Sequence, residues 1–344
     1  MNPNWQSFLS AAGARLTLEG TEVADFGNAA DELQAARTAT VLAPLAHLGL
    51  IGCTGEDACT FLHNQLSSDI KHLSMEQAQH AAWCTPQGRM LASFVVWRQD
   101  EGYQLALASD LAAPIIKRLQ KYVMRSKVTL VDLDAERVLL GLAGLGAEAA
   151  LAAAGLVAPA EVMARTDAAG VTVIRLDNGV NGGRFLLALG AGKAAQHWPL
   201  LAAKTRPVGV PAWRWLDVVA ALPWISATTC EQFVPQMADF EQIGGVSFHK
   251  GCYPGQEIVA RTRYLGKVKR HLFRVASPVP LQAGDNLHSP EHPEQAIGKI
   301  VSAAPAPEGG YAALAVILSS YAESAHIGSE DGPLIKATAV NPCV

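Results

Sequence analysis

Two spacings of apolar residues alternate along this chain: helical recurrence at three and four positions, and short unbroken runs of strand length. Residues 8–36 read as helix and turn, followed by strand-type runs at 40–42 and 48–51. Thr54-Gly55-Glu56-Asp57 supplies a polar cap and an acidic first turn, and Ala58, Phe61, Leu62 and Leu66 form the apolar face of the helix it opens. Residues 78–83 and 90–98 alternate as strands around the turn Cys84-Thr85-Pro86-Gln87-Gly88-Arg89, and a third strand at 103–108 follows Asp100-Glu101-Gly102. Ser109 and Asp110 then cap a helix carrying Leu111, Ile115, Leu119, Tyr122 and Val123, before a strand near 127–131. Hairpins followed by a helix predict α+β layers.

The next stretch interleaves strands at 138–140, 171–174 and 185–189 with Ala-rich helix. Gly141-Leu142-Ala143-Gly144-Leu145-Gly146 has its glycines in the wrong order for a dinucleotide loop and reads as a turn. Beyond Gly266, short strands at 272–275, 297–302 and 311–318 are broken by Pro- and Gly-containing turns, which predicts a small β-barrel. The expected division is 1–135 and 136–262, both α+β, and a barrel domain over 263–344.

Composition narrows this picture. The 344 residues are 50% hydrophobic and 17% charged, enough apolar material for two or three cores. A formal net charge of −4 argues against a chain built to coat nucleic acid, and no DNA partner is expected. Residues 138–160 are apolar but carry Glu148, which would be costly in lipid, so strand and helix are expected there and no membrane partner. The six cysteines (Cys53, Cys59, Cys84, Cys230, Cys252, Cys343) lack C-x-x-C spacing. No metal site is expected, and scattered thiols fit a reducing compartment. With no targeting signal read at the N-terminus, the expected location is cytoplasmic.

One stretch concentrates chemistry. Phe248-His249-Lys250-Gly251-Cys252-Tyr253-Pro254-Gly255-Gln256-Glu257 places a thiol two residues from an ammonium, bounded by glycines and a Pro-Gly pair, and so reads as a loop. The pattern then turns helical. Glu257 and Arg261 fall at i,i+4 in the favourable acid-before-base order, and Cys252 falls ahead of the helix N-terminus, where free amides favour a thiolate. The plain alternative is a small buried hydrophobe, as many free cysteines are. An activated Cys252 should alkylate before the other five cysteines.

This decapeptide closely resembles the K-G-C-Y-x-G-Q-E signature of the YgfZ branch of the glycine-cleavage T-protein superfamily. The likeness extends through Phe233-Val234-Pro235-Gln236, Gly244 to Phe248 and Gly266 to Arg270. It also covers the amino half, at Leu45-Ala46-His47-Leu48-Gly49, Gly55 to Leu62 and Gln65 to Asp69. The resemblance implies T-protein-like α+β domains around a central tetrahydrofolate pocket, with a C-terminal barrel. It further implies a role in assembly or repair of iron-sulfur clusters in client enzymes, including radical enzymes that methylthiolate tRNA, so that folate and such clients are partners and tRNA an indirect one. On it, Cys252 is the working thiol and Lys250 its electrostatic partner, while Tyr253, Gln256, Glu257, Arg261 and Asp217 are folate-site residues.

Two departures bear on the chemistry. T-proteins that transfer aminomethyl groups carry an Asp-Asp pair where this chain has Ala92 and Ser93, and neither can act as a carboxylate in proton transfer. An ungapped match on Pro223 puts Val219 at the place of a folate-contacting glutamate and Ala221 at that of a glycine, with Asp217 two residues earlier. The rivals to the cluster-support reading are a tetrahydrofolate-dependent aminomethyltransferase or demethylase, which the missing acids disfavour, and a folate-responsive scaffold in which Cys252 is dispensable. Seven basic residues lie between Lys250 and Arg274 against one acid, Glu257. They read either as a solvated face or as an anion site for a polyglutamyl tail or RNA.

Overall fold

The computed structural model describes residues 1–177, 179–264 and 268–340, apart from the side chain of Tyr264. Expectations resting on Gly266, Lys267 and Cys343 lie outside the described residues.

The α+β class holds, built on three large sheets and a small ribbon. In the first sheet the strands run, in spatial order, Ala78–Cys84, Met90–Gln99, Gly102–Ala108, Leu48–Thr54 and Thr129–Asp132, all antiparallel. Met90–Gln99 is buried over its first eight positions. Covered on both faces, it reads as a continuous apolar run rather than an alternating one. The second sheet orders Arg165–Ala168, Val171–Leu176, Gly183–Gly190, Arg137–Gly144, Val41–Pro44 and Arg206–Pro207. Val41–Pro44 pairs with Arg137–Gly144, so hydrogen-bonded pairing crosses the division expected at 135/136. The C-terminal sheet has six antiparallel strands centred on Tyr311–Leu318 and curls as half of a barrel.

The helix Val210–Val219 joins these units. It packs on Ala29–Thr38 and on the strands Gly298–Pro305 and Tyr311–Leu318 of the C-terminal sheet, and seven of its ten residues are buried. Trp213 lies against Gly141, where an added Cβ would come within 2.5 Å of the indole ring. Gly141 is there for that contact. The expected turn at 141–146 is therefore corrected: Gly141 to Gly144 belong to a strand, and only its end turns.

A second local correction concerns the helix after the first sheet. Ser109–Val123 forms with Leu111, Ile115 and Leu119 buried, but its N-cap is Ala108 and no side chain caps it. Asp110 instead accepts a hydrogen bond from the Ala227 amide at 3.0 Å, tying this helix to the segment after Val210–Val219. No helix among the described residues is long and apolar enough to cross a membrane.

Ala221, which the resemblance to T-proteins sets at the place of a glycine, has φ +56°. An L side chain in this region crowds its own carbonyl, at roughly 1–2 kcal/mol. Ala221→Gly is therefore expected to raise unfolding stability by about 1 kcal/mol, after the extra backbone entropy of glycine is deducted. A rise in the urea midpoint with unchanged slope checks it; a fall means the methyl's packing outweighs the strain.

Candidate functional site

The loop around Cys252 is held from several directions. The hydroxyl of buried Ser67 donates to the Gly245 carbonyl at 2.5 Å and accepts from the Ala82 amide at 2.8 Å, and the Ser247 amide bonds the Ser67 carbonyl at 2.9 Å. Gly255 has φ +82°, and an added Cβ would stand 2.5 Å from the Thr85 carbonyl oxygen and 2.7 Å from the Gly88 Cα. The Pro-Gly turn thus seats directly on the turn joining two strands of the first sheet.

Lys250 anchors the loop. Its side chain is buried, and its ammonium donates to the carbonyls of His63, Leu66 (2.5 Å) and Ser68 (3.1 Å), at and just beyond the C-terminal end of the helix Ala58–Gln65. A helix leaves its last carbonyls unpaired and carries partial negative charge there, so a three-donor cation fits the position. The ammonium also lies 5.1 Å from the centre of the Tyr253 ring. Burial pushes the Lys250 pKa down to about 8; nearby Asp69 opposes the shift and Lys71 adds to it. All three donors are engaged by carbonyls, so the link from Lys250 to Cys252 runs through the loop backbone and the field of the charge, not through a hydrogen bond.

Around this anchor the predicted residues divide. Cys252 is exposed, ahead of the helix Gln256–Tyr264, so the buried-hydrophobe alternative does not describe it. Tyr253 is buried, its hydroxyl pushed up by burial and by neighbouring Cys84. Gln256 donates to the Lys250 carbonyl at 3.4 Å. Glu257 and Arg261 are exposed on the helix. The basic stretch does not form one face: Lys250 is buried, Arg274 donates to the Val219 carbonyl at 3.0 Å, and Arg263 lies 3.3 Å from Glu241 and over the Phe248 ring.

Asp217 lies elsewhere, in a cavity of about 370 Å³ between the first sheet, the joining helix and the C-terminal unit. The end of the first sheet contributes Leu48 and Ala108–Asp110, the joining helix and its exit contribute Arg214, Asp217, Trp224 and Ser226, and the C-terminal sheet contributes residues 281–283 and 301–303. Asp217 is ion-paired with fully buried Arg184. Burial pushes the Asp217 pKa up, against the opposing charge and hydrogen bond of Arg184. Its second oxygen lacks a hydrogen bond of normal geometry, although the Trp224 indole lies near enough to favour the charged form.

Further unpaired polar atoms belong to residues that line this cavity. Both ring nitrogens of buried His47 and the Ser302 hydroxyl have no partner, and the Trp224 indole nitrogen has only the Asp217 carboxylate near it. Burial, with Arg214 adding to it, pushes the His47 pKa well down, so the ring is neutral. Arg214 is itself held by Glu22 at 2.6 Å. Buried polar atoms are almost always hydrogen-bonded, so several unpaired ones around a single cavity are unusual.

The positions of the missing acids are occupied structurally. Ala92 and Ser93 are buried, and the Ser93 hydroxyl donates to the Pro223 carbonyl at 3.2 Å and accepts from the Ile225 amide at 2.9 Å. Ser93 thereby fixes the segment that carries Trp224 into the cavity.

Comparison with known proteins fits this arrangement. A profile of the GCVT N-terminal domain matches residues 8–173. The crystal structure of glycine cleavage system aminomethyltransferase T from Bartonella henselae superposes with a TM-score of 0.74 at 20% identity, covering 98% of this chain and 96% of that one. The architecture is thus that of the aminomethyltransferase T class. In sequence, the tRNA-modifying protein YgfZ of Escherichia coli is 32% identical over 255 residues, 73% of this chain and 77% of that protein, and the Shigella dysenteriae protein matches equally. The chain belongs to the YgfZ family.

Lys250→Met keeps most of the length of the side chain but removes its donors. With three carbonyls left without their partner, it is expected to destabilise the fold by about 3 kcal/mol, from roughly 1–3 kcal/mol per unsatisfied buried group. Urea unfolding checks this, and a loss under about 0.5 kcal/mol, the size expected of an ordinary surface change, would show that water satisfies the carbonyls instead.

Proposed function

We propose that this protein binds a tetrahydrofolate in the cavity between the first sheet, the joining helix and the C-terminal unit, and that it supports assembly or repair of iron-sulfur clusters in client enzymes. The clients include enzymes that methylthiolate tRNA, tRNA itself being an indirect partner, and Cys252 is the working thiol. The observation that carries the folate reading is one cavity lined by Asp217, Trp224, His47 and Ser302, with the His47 ring nitrogens and the Ser302 hydroxyl unpaired. A reduced pterin presents ring donors, an amino group and ring acceptors along one edge. A carboxylate oxygen accepts from the former, while an indole N–H, a hydroxyl and a neutral imidazole satisfy the latter. The cavity's volume lies within the range usual for small-molecule sites.

The cluster-support part rests on family membership, on relatives named as tRNA-modifying proteins, and on an exposed Cys252 carried by an anchored loop. Aminomethyl transfer is disfavoured because Ala92 and Ser93 supply no acid and the Ser93 hydroxyl is already committed to Pro223 and Ile225.

Titration with tetrahydrofolate should change tryptophan fluorescence saturably, and Trp224→Phe should remove most of that change. Asp217→Asn should weaken affinity at least tenfold. A response unchanged in both variants would place the ligand elsewhere, and the absence of saturable binding by calorimetry would end the folate reading. The thiol is tested in cells defective in tRNA methylthiolation: wild type should restore the modification and Cys252→Ser should not. Full restoration by the serine variant favours the scaffold.

A further inference from the structure

The helix Ala58–Gln65 presents a histidine to the Cys252 loop, and sequence reading did not single it out. His63 has a side chain only 6% exposed. Its Nδ1 stands 3.3 Å from Asp69 Oδ1, too poorly aligned to count as a hydrogen bond but close enough for the carboxylate to act on the ring. At the other end of the ring, Nε2 faces Gly251, the residue before Cys252: a Cβ added at Gly251 would stand 4.0 Å from that nitrogen. Among the described residues no hydrogen bond is made by Nε2. A nearly buried imidazole therefore directs one nitrogen at a carboxylate and leaves the other turned to the loop that carries an exposed thiol.

Asp69 is itself fixed. It accepts from the Lys71 amide at 3.1 Å, and its Oδ2 lies 2.8 Å from His72 Nδ1. The backbone of His63 is fixed too, since its carbonyl is one of the three that hold the Lys250 ammonium. The loop and the histidine are thus pinned to each other through one lysine.

We propose that His63, oriented by Asp69, is the proton acceptor for Cys252. This inference rests on the reading of Cys252 as the working thiol. In the step, the S–H bond breaks, its electron pair stays on sulfur, and the proton forms an N–H bond at His63 Nε2. A thiolate and an imidazolium result, the latter balanced by the Asp69 carboxylate. With the Asp69 carboxylate beside Nδ1 favouring the proton there, the lone pair of the neutral ring lies on Nε2, as this transfer needs.

The charges facing His63 are Lys250 from the loop, and Asp69, Lys71 and His72 from the segment after the helix. Burial, and then Lys250, push the His63 pKa down, with Asp69 opposing and Lys71 and His72 adding. The ring is accordingly neutral at physiological pH and able to accept. It holds the proton only transiently.

The test is the pH dependence of iodoacetamide alkylation at Cys252 in the full chain, followed by mass spectrometry with Cys59 and Cys230 as internal references. Between pH 6.5 and 8, His63→Asn should alkylate at least about tenfold more slowly than wild type, a floor set below the roughly 10²–10⁴-fold typical of a positioned general base. The gap should close above about pH 9.5, where exposed thiols ionise without help. Asp69→Asn should slow the reaction by a smaller factor, with the same pH dependence. A structural role alone would slow alkylation equally at every pH or not at all. Rates within twofold of wild type across the range overturn the proposal, as does a pH-independent loss. Should His63→Asn fail to fold by circular dichroism, Asp69→Asn decides by the same criterion. Restoration of tRNA methylthiolation by Cys252→Ser together with slowed alkylation in His63→Asn would defeat the cluster reading and leave this proton transfer standing.

Discussion

A buried ammonium that meets three backbone carbonyls organises the functional end of this molecule. Taking a lysine out of water costs several kcal/mol unless its donors are met, and leaving the end of a helix without partners costs as well. Lys250 and the carbonyls of His63, Leu66 and Ser68 resolve both penalties in one contact. Its consequences are local and directional. With Lys250 fixed inward, the neighbouring Gly251 is drawn against His63, Tyr253 is buried beneath the ammonium, and Cys252 is left facing solvent.

A second constraint operates at the joining helix Val210–Val219. It carries Trp213 against Gly141 on the second sheet, and Arg184 lies over the same indole at 5.0 Å while ion-paired to Asp217. A pair buried this deeply adds little net stability, but removing one partner would strand the other charge. Its value is positional. It holds Asp217 at the wall of the cavity with one oxygen unpaired, and Ser93 fixes Trp224 from the opposite direction. Ser93, at one of the two positions where the resemblance expects a transfer acid, is thus part of the frame.

Much of this was legible in the sequence because it depends on local periodicity. The strands at 78–108, the helix after Asp57 and the helix after the Pro-Gly turn all follow from apolar spacing and turn residues, and the loop stood out by its chemistry. What escaped depends on partners far along the chain. Gly141 pairs with Ala43 and Leu186 within a strand and is glycine because Trp213 needs the space, and no local feature announces that. Lys250 looks like a neighbour of Cys252, but its ammonium reaches carbonyls more than 180 positions earlier. Asp217 and Cys252, grouped by resemblance, are not grouped by the structure: one lines the cavity and the other sits on the exposed loop. His63 had no sequence signal beyond its place at the end of a helix.

The proposed division of labour holds folate between the first sheet, the joining helix and the C-terminal unit and displays the thiol on the anchored loop. Amide hydrogen exchange with and without saturating tetrahydrofolate tests it directly. Slowed exchange is predicted at residues 108–110, 214–226, 281–283 and 301–303, with residues 248–257 little changed. Protection confined to 248–257, with none around the cavity, would contradict it.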